Sequence, residues 1–226
     1  MLRAIVFDFD GVIANSEPLH FSAFRDVLAE EGVTLTEADY YARYLGFDDV
    51  GVFQALGAAR GAWTPSHIAA LVARKAVRLE TLERGVSVLF PGAADAVRRA
   101  SAAMPIAIAS GARGAEIRRV LEHEHLAGCF TAIIAAEDTP VSKPAPDPYL
   151  RALALLGPAC GHQLAASDCV AIEDSRWGLE SARAAGLRTV AVTQTYEASA
   201  LTGAADLVIE SLESMDLAAL ARLCRE

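Results

Sequence analysis

Ala4-Ile5-Val6-Phe7-Asp8-Phe9-Asp10-Gly11-Val12 decides how the rest of the chain is read. Its first four residues are an unbroken apolar run, the pattern of a strand covered on both faces. Two carboxylates follow at alternate positions, and then a glycine that permits a tight backbone turn. Similar apolar runs recur at 106–109, 132–135, 170–172, 189–192 and 207–209. Helical patterns lie between them. One places Ile117, Val120 and Leu121 on a single face. Another covers 149–156, with Asp147 as N-cap and Pro148 at the first helical position. A third begins after Ser175 and ends at Gly186, a C′ glycine. Alternating strands and helices of this kind predict an α/β fold, a parallel sheet with helices on both faces.

The stretch 16–85 interrupts the alternation. Phe21, Phe24, Val27 and Leu28 recur at helical spacing, Thr64-Pro65 reads as a helix start, and Ile68, Leu71, Val72, Leu79 and Leu82 continue an apolar face. The expected organisation is therefore an α/β core from 1–15 and 86–226, with an all-helical insert at 16–85.

Of the 226 residues, 53% are hydrophobic, enough to bury a sizeable core and to argue against disorder. Twenty basic against 29 acidic residues give a formal charge of −9, which opposes sequence-independent nucleic-acid binding. Cys129, Cys160, Cys169 and Cys224 form no CxxC pair and no zinc spacing, and read as reduced thiols of a cytoplasmic protein. The first apolar stretch is too short for a signal peptide, and no run is long enough to span a bilayer.

Ligands of open parallel sheets bind at the carboxyl ends of the strands. There the chain places Asp8 and Asp10, then Ser110-Gly111, Lys143-Pro144, and Glu173-Asp174. Asp8 can accept a phosphoryl group and split one hard displacement into two easier ones. Asp10 can protonate the leaving oxygen and later deprotonate water. A calcium loop is excluded, because its sixth position should be glycine and is Ile13. Glu173 and Asp174 with Asp8 make a hard-oxygen site suited to Mg²⁺, leaving Ser175 to cap the next helix. Ser110 can donate to a phosphate oxygen; a nucleophile elbow is absent, since positions 108 and 112 are Ile and Ala. Lys143 offers a compact positive charge for phosphate and nucleophile, or else stands as a solvated loop lysine. Arg113 either reaches the phosphate or is a surface arginine, the reading favoured here. Trp177 is expected to be a packing residue.

Together DFDGV, the serine of IASGA, the lysine of KPAPDPY and the acids of IEDS resemble the four motifs of the haloacid dehalogenase superfamily. The resemblance covers essentially the whole chain. It implies a Rossmann-like core with a helical cap inserted after the first motif, Asp8 as nucleophile, and Asp10 as acid and base. It implies Mg²⁺ held by Asp8, the Asp10 carbonyl and Asp174, with Glu173 close by. Members with this cap are mostly phosphatases, and Asp10 argues against dehalogenation.

DGVIANSEPLH looks most like the β-phosphoglucomutase-like branch. Ser16 and His20 fall where that branch carries a hydroxyl and a histidine near the core–cap hinge; His20 reads equally well as a helix-surface residue. The mutase's phosphate-gripping lysine and arginine align with Leu45 and Asp49, and an acid there favours hydrolysis over mutase activity. Tyr44, Asp48 and Asp49, with Gly111 and Arg113 of the core, are the remaining candidate substrate contacts. The expected protein is a cytoplasmic, Mg²⁺-dependent phosphatase of a small phosphorylated metabolite, a sugar phosphate or a phosphoglycolate-like compound. It would be a monomer or weak homodimer without nucleic-acid or membrane partners. A phosphosugar mutase and a non-catalytic phospho-ligand binder are the alternatives. A phosphonate-cleaving relative would need a cap lysine, for which Lys75, well along a helix, is the sole candidate.

Overall fold

A computed structural model describes residues 1–45, 47–58, 63–161 and 164–224. The chain divides into two compact units: Met1–Asn15 with Ser87–Glu226, and Ser16–Val86.

The first unit opens with β1 (Ala4–Phe7). The second holds α1 (Glu17–Glu30), α2 (Glu37–Arg43), α3 (Asp49–Ala58) and α4 (Pro65–Glu83). The first unit resumes with α5 (Ala93–Ala103), β2 (Ile106–Ala109), α6 (Gly114–His123), β3 (Ala132–Ile134), α7 (Asp147–Leu156) and β4 (Cys169–Glu173). It closes with α8 (Arg176–Ala184), β5 (Arg188–Val192), α9 (Ala198–Leu201), β6 (Leu207–Ile209) and α10 (Leu217–Leu223).

Among the described residues the six strands form one sheet in the order β3-β2-β1-β4-β5-β6, every pair parallel. This is the Rossmann-like α/β arrangement that the alternating pattern predicts. β1 lies inside the sheet, and all four of its residues are fully buried. Side chains alternate between sheet faces. Ala4, Val6, Ala107, Ala109 and Ala171 share one face with Tyr149, Ala152 and Leu156 of α7 and Ala182 of α8. That face is built mostly of alanine, so the helices covering it come close to the strands. Ile5, Phe7, Ile106, Ile108, Val170 and Ile172 supply the bulk on the other face.

Helix ends follow local chemistry. Ser175 accepts from the Gly178 N–H at 3.1 Å and caps α8. Thr64 accepts from His67 N and caps α4, with Pro65 at its start. Gly186 closes the α8 segment with φ +88°, a left-handed conformation that favours glycine. α7 begins one residue earlier than its sequence suggests. Asp147 is already helical and Pro146 holds the cap position, because two prolines one residue apart both preset φ for a first turn.

The second unit has its own core. Phe21, Phe24, Val27 and Leu28 pack with Tyr40, Tyr44, Val52, Phe53, Ile68 and Leu71. Phe24 and Phe53 meet nearly edge to face at 5.2 Å between ring centres. The four cysteines are free thiols. No helix of the described residues is long and apolar enough to cross a membrane.

Candidate active site

Asp8 continues β1 by one residue. Its N–H donates to Ile172 O at 2.9 Å, so the ladder with β4 fixes its backbone. Its carboxylate accepts from the Phe9 N–H at 2.7 Å. The chain then turns: the N–H groups of Ile13 and Ala14 converge on Phe9 O at 2.8 and 2.9 Å, and Gly11 donates to Ala14 O at 2.9 Å. Gly11 takes φ +78°, the left-handed conformation the turn needs. Asp10 sits within this turn, half-buried.

Around Asp8 gather groups from three other segments. The Lys143 ammonium lies 3.0 Å from Asp8 Oδ1 and 2.6 Å from Glu173 Oε1. Glu173, the last residue of β4, is wholly buried. Oε1 also accepts from the Tyr149 hydroxyl at 2.7 Å, and Oε2 from Asp174 N at 3.2 Å and Ser175 Oγ at 3.3 Å. Carboxylate oxygens of Asp8, Glu173 and Asp174 all lie within 4.8 Å of one another.

One ammonium among three buried carboxylates leaves an excess of negative charge. Burial and then Glu173 push the Asp8 carboxyl well above the usual range, against the pull of Lys143. Burial and Glu173 likewise push Asp174 up to about 7, while a hydrogen bond from Thr195 resists. Burial alone would lower the Lys143 ammonium, but Asp8 and Glu173 together hold it above its ordinary value. The cation is satisfied and the anions are not. Such a site calls for one more positive charge with hard-oxygen preference, and the donor set suits a divalent cation.

The other sequence candidates of this unit occupy the same strand ends. Ser110 follows β2, is buried, and accepts from Ala112 N at 3.1 Å. Gly111 is exposed, with open space where a Cβ would stand. Arg113 is exposed at the cap position of α6, and the first α6 N–H, that of Gly114, donates to Glu137 at 3.1 and 3.3 Å. Trp177 is 63% exposed, which corrects its expectation as a packing residue; the α8 face that packs carries Gly178, Leu179 and Ala182 instead.

The remaining candidates belong to the helical unit. Ser16 is buried at the start of α1. His20 Nδ1 is 2.8 Å from the Lys75 ammonium, and Lys75 is 2.7 Å from Asp49 Oδ1. Tyr44 is buried in the aromatic core beneath the Arg43 guanidinium, which lies 5.4 Å from its ring centre. Asp48 is exposed and accepts from the Gly51 N–H at 2.7 Å in the first turn of α3.

The sequence reading missed Tyr149, Gln194 and Thr195, and did not place Lys75 in the core. Tyr149 lies on the apolar face of α7 and reads as core, yet its hydroxyl reaches Glu173. Gln194 and Thr195 follow β5 at its carboxyl end, the one signal they carry. Lys75 is 1% exposed, with its ammonium 4.7 Å from the centre of the Phe24 ring. Its position four residues after Leu71 and four before Leu79 places it on the buried stripe.

A family model described as haloacid dehalogenase-like hydrolase matches residues 2–186. The CbbY plasmid protein of Cupriavidus necator is 36% identical over 225 residues, spanning 93% of this chain and 86% of the relative. The fructose-1-phosphate phosphatase YqaB of Escherichia coli is 31% identical over 190 residues, spanning 83% of this chain and 95% of the relative. Among solved structures, CbbY from Rhodobacter sphaeroides in complex with xylulose 1,5-bisphosphate superposes with a TM-score of 0.80. It is 26% identical and covers 95% of this chain and 96% of its own.

Proposed function

The chain belongs to the haloacid dehalogenase-like hydrolase family, and from that premise we propose a magnesium-dependent phosphatase that works through an aspartyl phosphate. That it hydrolyses phosphoric monoesters of small metabolites is the activity its phosphatase relatives share. The observation that carries the finer reading is the pairing of Asp8 with Lys143 at 3.0 Å inside the three-carboxylate cluster.

Asp8 is the nucleophile. Lys143 opposes the upward push on its carboxyl, aligns it, and meets the charge of the incoming phosphoryl group. Asp10 gives a proton to the leaving oxygen and takes one from the water that later attacks the acyl phosphate. Ser110 donates a hydrogen bond to a phosphate oxygen. Asp8, the Asp10 carbonyl and Asp174 would hold Mg²⁺. Bound there, the ion would neutralise the excess anionic charge and polarise the phosphate. Both Glu173 oxygens already accept from protein donors, which supports a role in orienting Lys143 over direct metal ligation. The substrate class proposed is a small sugar phosphate or a phosphoglycolate-like compound, in line with the fructose-1-phosphate phosphatase among its relatives.

The test is phosphate release from a panel of monoesters, with Mg²⁺ or with EDTA, and with Asp8→Asn as the blank. Release that needs Mg²⁺ and drops by more than about 1000-fold in Asp8→Asn is the expected result. Full activity in the variant overturns the nucleophile assignment. Conversion of β-glucose 1-phosphate to glucose 6-phosphate without phosphate release would make the protein a mutase.

A further inference from the structure

Gln194 reaches from the loop after β5 to the loop after β1, although β4 lies between those strands in the sheet. Its amide nitrogen is 2.9 Å from Gly11 O and 3.0 Å from Val12 O. Two carbonyl acceptors can be met only by the NH₂ end of an amide, so the geometry fixes its orientation. The next residue, Thr195, donates its hydroxyl to Asp174. One loop therefore touches both of the loops that carry the site's acids.

We infer that Gln194 is a positioning residue for Asp10. This rests on the reaction proposed above. Asp8 is held by other means: the ladder bond to Ile172, the Phe9 N–H and Lys143. Asp10 lies in the turn just before the two carbonyls that Gln194 grips. The peptide after Gly11 is the point where that turn reverses, at φ +78°. Releasing it loosens the Gly11–Val12 side of the turn, which its bonds to Phe9 O still close, while leaving β1 and Asp8 in place. The group that loses its aim is then the proton donor and not the nucleophile.

This predicts a dependence on leaving group. Phosphoryl transfer to Asp8 breaks the bond between phosphorus and the ester oxygen. An alkoxide leaves only as it takes the Asp10 proton, whereas nitrophenolate leaves without one. kcat/KM covers this transfer step alone, so it reads the effect free of the later hydrolysis.

The experiment compares kcat/KM of wild type and Gln194→Ala on p-nitrophenyl phosphate and on the sugar phosphate the wild type hydrolyses best. Gln194→Ala is expected to lose at least about 30-fold on the sugar phosphate and less than about 3-fold on p-nitrophenyl phosphate, since a positioned acid supplies 10²–10⁴-fold. Asp10→Asn should give the same pattern, and adding Gln194→Ala to it should cost nothing more on the sugar phosphate. Equal losses on both substrates, or no loss, overturn the inference. If Gln194→Ala fails to fold, Gln194→Met, of similar length and without donors, carries the same comparison. A wild type that releases phosphate from neither substrate overturns the proposed reaction, and this inference with it; an active wild type with an unselective variant overturns this inference alone.

Discussion

Gly11 packs so tightly against Asp174 that a Cβ built on it would lie 2.0 Å from Oδ2 and 2.5 Å from Cγ of that carboxylate. The turn after β1 and the loop after β4 thus touch with no room for a methyl group. Glycine is required there twice over, for its φ and for its missing side chain.

Gly11→Ala should therefore push Asp174 out of the cluster and lower kcat/KM by about 100-fold, the scale of an ångström-sized misplacement. Gly32→Ala is the control. It has φ +69° and nothing within 4 Å of its Cβ, so it carries strain alone. It should cost about 1 kcal/mol of stability and leave activity at the wild-type level. Steady-state kinetics and urea unfolding of both variants decide the matter.

The cluster should set how stability depends on pH. Asp174 has its carboxyl pushed up from 3.8 to about 7, and Asp8 is shifted the same way. An acid with a raised folded pKa binds its proton more tightly when folded. Its stabilisation is complete below the unfolded value and is lost as pH rises through the folded one. The metal-free protein should lose thermal stability between about pH 4 and pH 7, and Asp174→Asn should flatten that loss. Mg²⁺ should then raise Tm more at pH 8 than at pH 5, by about 5 °C or more at a hundred times its dissociation constant. A Tm that Mg²⁺ leaves unchanged at pH 8 would count against metal binding here.

Tyr149→Phe removes one of four hydrogen bonds to Glu173 and adds no cavity beyond an oxygen. It should cost about 1 kcal/mol. Because Lys143 and Asp8 keep their contact, kcat should fall by less than about 3-fold, well short of a proton donor's contribution. A loss of a hundredfold or more would mean that the hydroxyl acts on the chemistry directly.

In the helical unit, Asp49→Ala takes the nearest carboxylate from the buried Lys75 ammonium and leaves it His20, the Phe24 ring and the charge of Glu17 as neighbours. Unfolding in urea should show a loss of about 2 kcal/mol, below the full penalty of a broken buried pair because Asp49 is partly exposed. Adding Lys75→Met should recover most of it, since an apolar side chain suits the stripe between Leu71 and Leu79. A double variant less stable than the single one would show that the pair is held for its own sake.

All six strands were legible, because a buried parallel strand is a short apolar run and little else in this chain imitates one. The acids were legible because Asp8 and Glu173 stand at the first polar position after such a run, with Asp10 and Asp174 within two residues of them. What stayed hidden depends on the meeting of distant segments. Tyr149 has the face and spacing of a core residue, and only the approach of α7 to β4 gives its hydroxyl a partner. Lys75 reads only as a cap lysine well along a helix, although its register with Leu71 and Leu79 marks it as buried. Gln194 is an amide in a loop, and no periodicity tells where such a side chain reaches. Trp177 was misread because size suggests packing, whereas its place in the first turn of α8 faces outward.

The alanine face of the sheet reaches further than packing. Ala107, Ala109 and Ala171 give α7 its seat, and α7 carries Tyr149 to the carboxylate that holds Lys143. A single added methylene there would crowd the helix, and the strain would surface in how Glu173 holds Lys143, a contact it never touches. Such a core works as a mechanical reference for the placement of Lys143, and drift in its smallest residues would shift the site before it cost the fold.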